Sequence, residues 1–236
     1  MSTLLACFYL LISSANEHRL PPDECQIGQR RRCAVQIAAP GLPGNLSMRC
    51  LPDWQGVLRF NHADCNTPLV VAFDEAPVLF TPAAGAFTLG ATPRTEWVSA
   101  TTPWLVLDRD GSGCAEDQSE LFGPTGSALD GFANLAEHDA NHDGKIDAAD
   151  PAFARLALWY DRDQDRKCTA KEMVGLAKAG VVAIELSATK TPSLVVGSYE
   201  GAWATMVFRT PTGALRRGRV IDVYLAPLWS AAWHKT

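Results

Sequence analysis

Residues 139–172 read DANHDGKIDAADPAFARLALWYDRDQDRKCTAKE and carry the strongest pattern in the sequence. Two segments of alternating oxygen-bearing side chains frame an apolar run at helical spacing. Calcium takes about six to eight oxygen ligands, and alternate side chains on a tightly curled loop converge on one point. The stretch therefore predicts two EF-hand-type calcium loops. We call residues 139–150 the second loop and residues 161–172 the third loop, because residues 108–120 form a variant first loop.

The second loop fits the twelve-residue EF-hand pattern, with oxygen-bearing side chains at positions 1, 3, 5, 9 and 12. Gly144 at position 6 allows the positive φ of the sharp turn, and Lys145 offers its backbone carbonyl. Ile146 is expected to pair with a neighbouring loop and to bury its side chain. Asp150 precedes Pro151, whose fixed φ suits a first helical turn, so Asp150 is expected to be both ligand and helix cap. The predicted ligands are Asp139, Asn141, Asp143, Lys145, Asp147 and Asp150.

The third loop carries oxygens at positions 1, 3, 5 and 9 and a glutamate at position 12. Position 6 departs from the pattern, because Arg166 must adopt a positive φ at a cost of about 1 kcal/mol or more. The site is therefore expected to be weaker or differently shaped, and a solvated acidic turn is the alternative. The predicted ligands are Asp161, Asp163, Asp165, Lys167, Thr169 and Glu172.

The first loop matches the pattern at positions 1, 3, 5 and 6, but Ser119 stands at position 12 and Glu120 follows one step later. Glu120 can close the ligand shell if the loop bulges, or Asp117 can supply an oxygen. A structural turn that has lost its ion is the alternative. The candidate ligands are Asp108, Asp110, Ser112, Cys114, Asp117 and Glu120.

Helical periodicity surrounds these loops. Apolar residues form one face between Leu129 and Ala136, a second between Phe153 and Tyr160, and a third between Met173 and Ala177. Gly180 is the expected C-cap of the last helix, and Val181 to Leu186 is expected to follow as a strand. The predicted fold class is α+β, in which short strands and hairpins flank a small helical calcium-loop region.

Outside the loop region, Pro and Gly repeatedly break short apolar runs, which indicates strands and turns. A β-hairpin is predicted around Pro211-Thr212-Gly213, between Trp203–Arg209 and Arg219–Leu225. The predicted division is a signal peptide over 1–15, a Cys-rich strand and loop region over 16–75, a β segment over 76–107, an EF-hand-like region over 108–186, and a hairpin with a tail over 187–236.

Seven cysteines are present, and six remain if Cys7 is removed with a leader. Cys25, Cys33, Cys50 and Cys65 lie close together, which in an oxidising compartment indicates a disulfide framework of undetermined pairing. Zinc is the competing explanation, although Cys-x-x-Cys pairs are absent. Cys114 and Cys168 occupy loop positions 7 and 8, where paired loops form a short ribbon, so a disulfide is predicted between them.

The first fifteen residues favour export. An apolar run from Leu4 to Ile12 precedes the small residues Ser13, Ser14 and Ala15, which is typical of a signal peptide. The sequence around Cys7 also resembles a lipobox, so lipidation or a miscalled start codon are alternatives, and a buried N-terminal helix is another. We expect an extracytoplasmic protein, secreted, periplasmic or lipid-anchored, without a transmembrane helix in the mature chain.

Composition and motifs exclude several functions. The net charge is -5, and the basic runs at Arg30–Arg32 and Arg216–Arg219 are short and distant, so nucleic acid is not an expected partner. None of the five histidines lies in a recognisable catalytic motif, and the sequence has no Gly-x-Ser-x-Gly or His-Glu-x-x-His segment, so we expect a non-enzymatic protein.

Five short motifs carry a resemblance to a known family. They are WLVLDRDGSG at 104–113, ELFG at 120–123, GFANLAEHD at 131–139, LWYD at 158–161 and VIDVYL at 220–225. The stretch from about Phe73 to Leu225 resembles a bacterial family in which Asp-rich calcium loops lie between short strands, often attached to secreted haemolysin-type calcium-binding proteins. The resemblance implies that Glu120 is a ligand. The chain departs from this family at Arg166, in its Cys-rich start and in lacking glycine-rich nonapeptide repeats.

The predicted function is calcium binding by an exported module that folds or becomes rigid when calcium fills its loops. The alternative is a dockerin-like adhesion or docking module that recognises an extracytoplasmic protein or glycan partner, because two loops 22 residues apart share one predicted helix.

Overall fold

The computed structural model describes residues 25–26, 30–32, 47–52, 58–61, 67–82, 85, 87, 89, 95–124, 128, 130–191 and 198–225. The predicted signal peptide, Cys7, Cys33, Cys65 and the last eleven residues, 226–236, lie outside these ranges. The segment boundaries predicted from the sequence stay predictions.

Strands are the main regular secondary structure of the described residues. They are β1 (Arg30–Arg32), β2 (Ser47–Pro52), β3 (Leu58–Asn61), β4 (Leu69–Ala72), β5 (Phe80–Thr81), β6 (Trp97–Val98), β7 (Trp104–Leu107), β8 (Lys145–Asp147), β9 (Leu156–Trp159), β10 (Met173–Gly175), β11 (Val181–Glu185), β12 (Thr189–Lys190), β13 (Tyr199–Arg209) and β14 (Leu215–Tyr224). The α-helix of the described ranges is α1 (Gly131–Ala136), and 3-10 turns cover Gln118–Glu120 and Pro151–Arg155. The predicted class of α+β with a helical loop region is therefore wrong, and the protein is mainly β.

A nine-stranded antiparallel sheet organises the described part of the chain, in the order β10-β9-β7-β4-β14-β13-β11-β8, with β12 paired to β13. Its longest pairing is the β13–β14 hairpin, which extends from the pair Tyr199 and Tyr224 to the pair Arg209 and Leu215. This hairpin and the strand after Gly180 are confirmed. The strands β1, β2 and β3 form a separate three-stranded sheet, and β5 pairs with β6 as a two-stranded ribbon.

The large sheet is covered on both faces because successive side chains of a strand point to opposite sides. Leu105 and Leu107 of β7 belong to one core, which α1 and Phe153 help to cover. Trp104 and Val106 belong to the other core, which the β5–β6 ribbon covers. The predicted helix from Phe153 to Tyr160 is wrong for this reason. All four residues of β9 are buried, and a short apolar run buried on both faces has no alternation that distinguishes it from a helix.

The predicted helix between Met173 and Ala177 is also wrong, because this segment begins with β10 at the sheet edge, paired to β9. The helix predicted between Leu129 and Ala136 is confirmed in shortened form as α1, whose first amides are capped by Asp130. Without a helix on both sides, none of the loops is an EF-hand in the strict helix–loop–helix sense.

Two disulfides lie within the described residues and join Cys25 to Cys50 and Cys114 to Cys168. Such bonds are typical of oxidising compartments, so they favour an extracytoplasmic protein. The described helices are all too short to cross a membrane.

Candidate metal centre

Each acidic loop begins where a buried element ends. The first loop follows β7, the second follows α1 and includes β8, and the third follows β9. Asp139 and Asp161, the first residues of the second and third loops, are buried although they are carboxylates. The sheet therefore holds the start of the first and third loops in a fixed place, and α1 does so for the second loop.

The closing carboxylate has the same role in all three loops. It accepts hydrogen bonds from the backbone amides of the second and ninth loop residues. The bonds are Arg109 and Glu116 to Glu120 at 2.9 and 3.1 Å, Ala140 and Asp147 to Asp150 at 2.9 and 3.0 Å, and Arg162 and Thr169 to Glu172 at 3.0 and 3.1 Å. Three unlike sequences thus close with one geometry.

The rest of each loop repeats as well. In each loop the position-1 carboxylate accepts from the amide of residue 6, the position-3 oxygen from residue 5 and the position-5 oxygen from residue 7. Positions 4 and 6 both have a positive φ. The residues are Gly111 and Gly113, His142 and Gly144, and Gln164 and Arg166. The requirement at position 4 is one that we missed in the sequence.

This repetition identifies Glu120 as the counterpart of Asp150 and Glu172, although it comes one residue late. The 3-10 turn Gln118–Glu120 takes up the extra residue. Asp117, the alternative ligand, accepts a hydrogen bond from the Ser119 amide at 2.7 Å and caps that turn. The bonds to Ser119 lower the pKa of Asp117, whereas burial raises the pKa of Glu120. Asp117 is therefore committed to the backbone, and Glu120 points inward.

The second loop differs from its prediction in three respects. Lys145 contributes more than a carbonyl, because its Nζ lies 2.7 Å from Asp147 and 3.5 Å from Asp143. Ile146 is buried as expected, but it pairs with Ile184 of β11 and not with a neighbouring loop. Asp150 stands at the start of the Pro151–Arg155 turn without a side-chain cap bond, because its oxygens close the loop.

The hydrogen bond between Lys145 and Asp147 raises the pKa of the lysine and lowers the pKa of the aspartate. A fixed cation therefore competes for two of the predicted ligands of the second loop. The closely grouped carboxylates of the described residues lie in the other two loops. One oxygen from each member lies within 4.8 Å of the others in the groups Asp108, Asp110 and Glu120, and Asp161, Asp163 and Asp165.

Asp161 is the most unusual of these carboxylates. It is 3% exposed, and its Oδ2 accepts hydrogen bonds from the Trp97 indole at 2.7 Å and from the Arg166 amide at 3.2 Å. Its Oδ1 is buried and, within the described part of the chain, has no hydrogen-bond partner. Burial raises the pKa of Asp161, and the nearby Glu172 and Asp163 carboxylates raise it further. The arrangement is costly for the isolated protein and suits a bound cation.

Comparison with known proteins places these loops in a family. A family model described as the SPM domain matches residues 80–225, more than half of the chain. The chain belongs to the SPM domain family. The iron-regulated protein FrpA of Neisseria meningitidis serogroup C is 38% identical to it over 104 residues. That match covers 42% of this chain and 9% of FrpA, so the similarity is limited to a short segment of FrpA. The resemblance to haemolysin-type calcium-binding proteins stays a prediction.

The matched SPM region contains all three loops and the β5–β6 ribbon. The Cys114–Cys168 disulfide joins the first and third loops across a Cα–Cα distance of 5.5 Å, so the predicted bond is confirmed. Residues 108–120 and 161–172 contain no strand, so the ribbon of paired loops from which the bond was predicted is not present there. Instead, the two loops follow the neighbouring strands β7 and β9. A cavity of about 400 Å³ lies beside the bond, lined by residues of both loops and by Phe87.

Two residues of the SPM site carry no signal in the sequence. Trp97 binds Asp161 from 64 positions away. Arg155 donates from its Nη2 to the backbone carbonyls of Asp108 and Arg109, at 3.2 and 3.0 Å, and so holds the start of the first loop. Neither contact could be found from local spacing. The Trp97 contact depends on the packing of the β5–β6 ribbon against the large sheet, and the Arg155 contact follows the pairing of β7 with β9.

Proposed function

We propose that this SPM domain binds calcium through its three acidic loops, and that the ions stabilise the folded module outside the cytoplasm. The observation that carries the proposal is the buried Oδ1 of Asp161, which accepts no hydrogen bond from any residue that the structure describes. Asp161 also belongs to a group of three carboxylates whose oxygens lie within 4.8 Å of one another. A buried charged oxygen without a hydrogen-bond partner destabilises the folded state by about 1–3 kcal/mol or more, unless a cation or a donor compensates it.

The donor set favours calcium over softer metals. Side-chain carboxylates, an amide, hydroxyls and backbone carbonyls are all oxygen ligands, which hard cations prefer. Zinc sites in proteins are usually built from cysteine sulfur and histidine nitrogen, and the two cysteines of these loops are joined in a disulfide. Magnesium requires near-ideal octahedral geometry, whereas calcium accepts the irregular shells that loops of different length provide.

The three loops are expected to differ in affinity. The first and third loops each group three carboxylates within 4.8 Å, so they concentrate negative charge at one point. The second loop has Asn141 at position 3, and Lys145 neutralises part of its charge. This ranking reverses the expectation from sequence, in which the second loop was the best match.

Mass action links calcium to location. An ion that binds only the folded state adds about 2.7 kcal/mol of stability when its concentration is a hundred times the dissociation constant. Extracellular calcium modules have dissociation constants of about 0.1–1 mM, so such sites fill outside the cell and stay empty in the cytosol. We expect a secreted, periplasmic or lipid-anchored protein that is ordered by calcium after export and has no catalytic activity of its own.

Isothermal titration of the full chain with calcium tests the proposal. Wild type is expected to bind calcium with a stoichiometry above one and to bind magnesium at least about tenfold more weakly. Asp161→Asn should remove one site, and Asp108→Asn another. Asp74→Asn is the matched control, because Asp74 is an exposed aspartate outside the loops. Absence of calcium heat, or equal loss in the control, would refute the proposal.

The docking alternative has lost its helical basis, because residues 151–159 form a 3-10 turn and a strand where a shared helix was expected. Recognition of a protein or glycan partner stays a prediction without a particular surface to support it.

A further inference from the structure

The third loop differs from the other two at the positions that need a positive φ. The first loop has glycine at both, and the second has His142 and Gly144. The third has Gln164 and Arg166, with φ of 61° and 62°. A non-glycine residue in this conformation is strained by about 1 kcal/mol or more, so two such residues in one loop call for a compensating contact.

Both side chains leave the loop and bind the β5–β6 ribbon. The Gln164 amide donates to the Val98 carbonyl at 2.8 Å and accepts from the Thr81 hydroxyl at 2.9 Å, so it contacts both ribbon strands. The fully buried Arg166 donates from Nη2 to the carbonyl of Thr95, and its guanidinium lies 4.8 Å from the centre of the Trp97 ring. The contacts that Gln164 and Arg166 make with the ribbon therefore offset the cost of their positive φ.

Two further contacts join the same surfaces. The Trp97 indole binds the Asp161 carboxylate, the first predicted ligand of the loop. Gly85 lies directly against the Asp165 carbonyl, where a Cβ atom would collide with that oxygen. Gly85, Thr95, Trp97 and Val98 therefore contact the third loop at Asp161 and between Gln164 and Arg166.

We propose that the third loop is a calcium-dependent latch that holds the β5–β6 ribbon over the tryptophan core, with Gln164, Arg166 and Trp97 as its positioning residues. The tryptophan core consists of Trp97, Trp104 and Trp159, all fully buried, with Trp97 ring centres 4.3 and 5.9 Å from the other two. The proposal rests on calcium binding by the third loop, and it adds what that binding controls.

The physical basis is repulsion between carboxylates when no cation is bound to the third loop. One oxygen each of Asp161, Asp163 and Asp165 lies within 4.8 Å of the others. A cation among these oxygens removes the repulsion and fixes the curl from which Gln164 and Arg166 project. Without the cation, the loop relaxes and the bonds to Thr81, Thr95 and Val98 weaken together. The first and second loops can lose their ions without this effect, because their positive-φ residues are small or exposed.

Hydrogen exchange by mass spectrometry tests the latch in the full chain. In wild type, removing calcium with a chelator should speed exchange of the amides at 95–98 by about tenfold or more, the effect of losing bonds to a charged side chain. Arg166→Gly should exchange quickly in this segment with or without calcium. Its calcium affinity should be unchanged or higher, because glycine relieves the strain of position 6. If Arg166 served only the loop, Arg166→Gly would lower calcium affinity and leave exchange at 95–98 slow in the presence of calcium, which would overturn the latch.

Gln164→Gly is the second variant, in case Arg166→Gly does not fold, and it should also lose the calcium dependence at 95–98. His142→Gly is the matched control. It relieves the same φ at position 4 of the second loop, where the side chain is exposed, and should leave the segment protected. Wild type that binds calcium without any change at 95–98 would overturn the latch alone. Wild type that binds no calcium would overturn the proposed function and the latch with it.

Discussion

Loss of the Cys114–Cys168 disulfide should destabilise the calcium-free protein by a calculable amount. The bond connects residues 54 positions apart. A cross-link of that span removes about 14 cal/mol/K of entropy from the unfolded chain, which is about 4 kcal/mol at 25 °C. For a chain of this size, 1 kcal/mol corresponds to about 2–4 °C in melting temperature. The double variant Cys114→Ser/Cys168→Ser should therefore melt about 8–16 °C below wild type.

Urea unfolding without reductant, with a chelator present, measures the predicted difference of about 4 kcal/mol in the free energy of unfolding. Reductant alone is not a suitable perturbation, since it would also cleave Cys25–Cys50. The double serine variant keeps the Cys25–Cys50 bond, so it reports the contribution of Cys114–Cys168 alone. A free-energy difference below about 1 kcal/mol would contradict the reasoning, because it would mean that the first and third loops stay together without their covalent link or are not linked in solution.

Three further predictions follow from single residues. Asp222 is fully buried, and burial, assisted by Asp130 and opposed by the Gly131 amide and Lys190, raises its pKa well above 3.8. The folded state holds this proton more tightly, so wild-type stability should fall as pH rises from 3.8 towards the folded pKa, and Asp222→Asn should remove that fall in urea titrations across pH. An unchanged slope would exclude Asp222 as the cause. Gly85→Ala should cost about 1–3 kcal/mol and loosen the ribbon, whereas Gly213→Ala, with the same sign of φ but open space around it, should cost less in the same unfolding assay. Lys145→Gln should tighten calcium binding at the second loop in a calorimetric titration, while the exposed Lys178→Gln should not; equal effects would indicate general charge and not local competition.

The loops could be predicted from sequence because their geometry is local. Alternating oxygens fold back on their own backbone amides, so spacing alone identifies the first, third and fifth positions of each loop. The slipped position of Glu120 could also be considered from sequence, as an alternative to Asp117. In the structure Asp117 binds the Ser119 amide and Glu120 closes the loop, and its role as a ligand stays a prediction.

The surrounding architecture could not be predicted in the same way. Leu156 to Trp159 has no alternation because both of its faces are buried, and the apolar residues just before it extend the pattern into an apparent helix. Ile146 was correctly expected to pair and be buried, but its partner Ile184 lies on a strand 38 positions away in the chain. Strand partners of this kind depend on the whole sheet.

Arg166 shows the same limit at the site. From sequence, it is a defect in a calcium loop, because position 6 calls for glycine. In the structure, it is fully buried, bound to Thr95 and stacked on Trp97, contacts that join segments about 70 residues apart. These contacts cannot be predicted from the loop sequence alone, because they depend on how the ribbon packs against the loop.

The most direct test of calcium binding is a crystal structure of the full chain grown with about 10 mM calcium, above the dissociation constants of extracellular modules. An anomalous difference map should show a calcium ion about 2.3–2.6 Å from Oδ1 of Asp161, with a second ion at Asp108, Asp110 and Glu120. A map without an ion at either group, with Oδ1 of Asp161 still lacking any partner, would contradict the account.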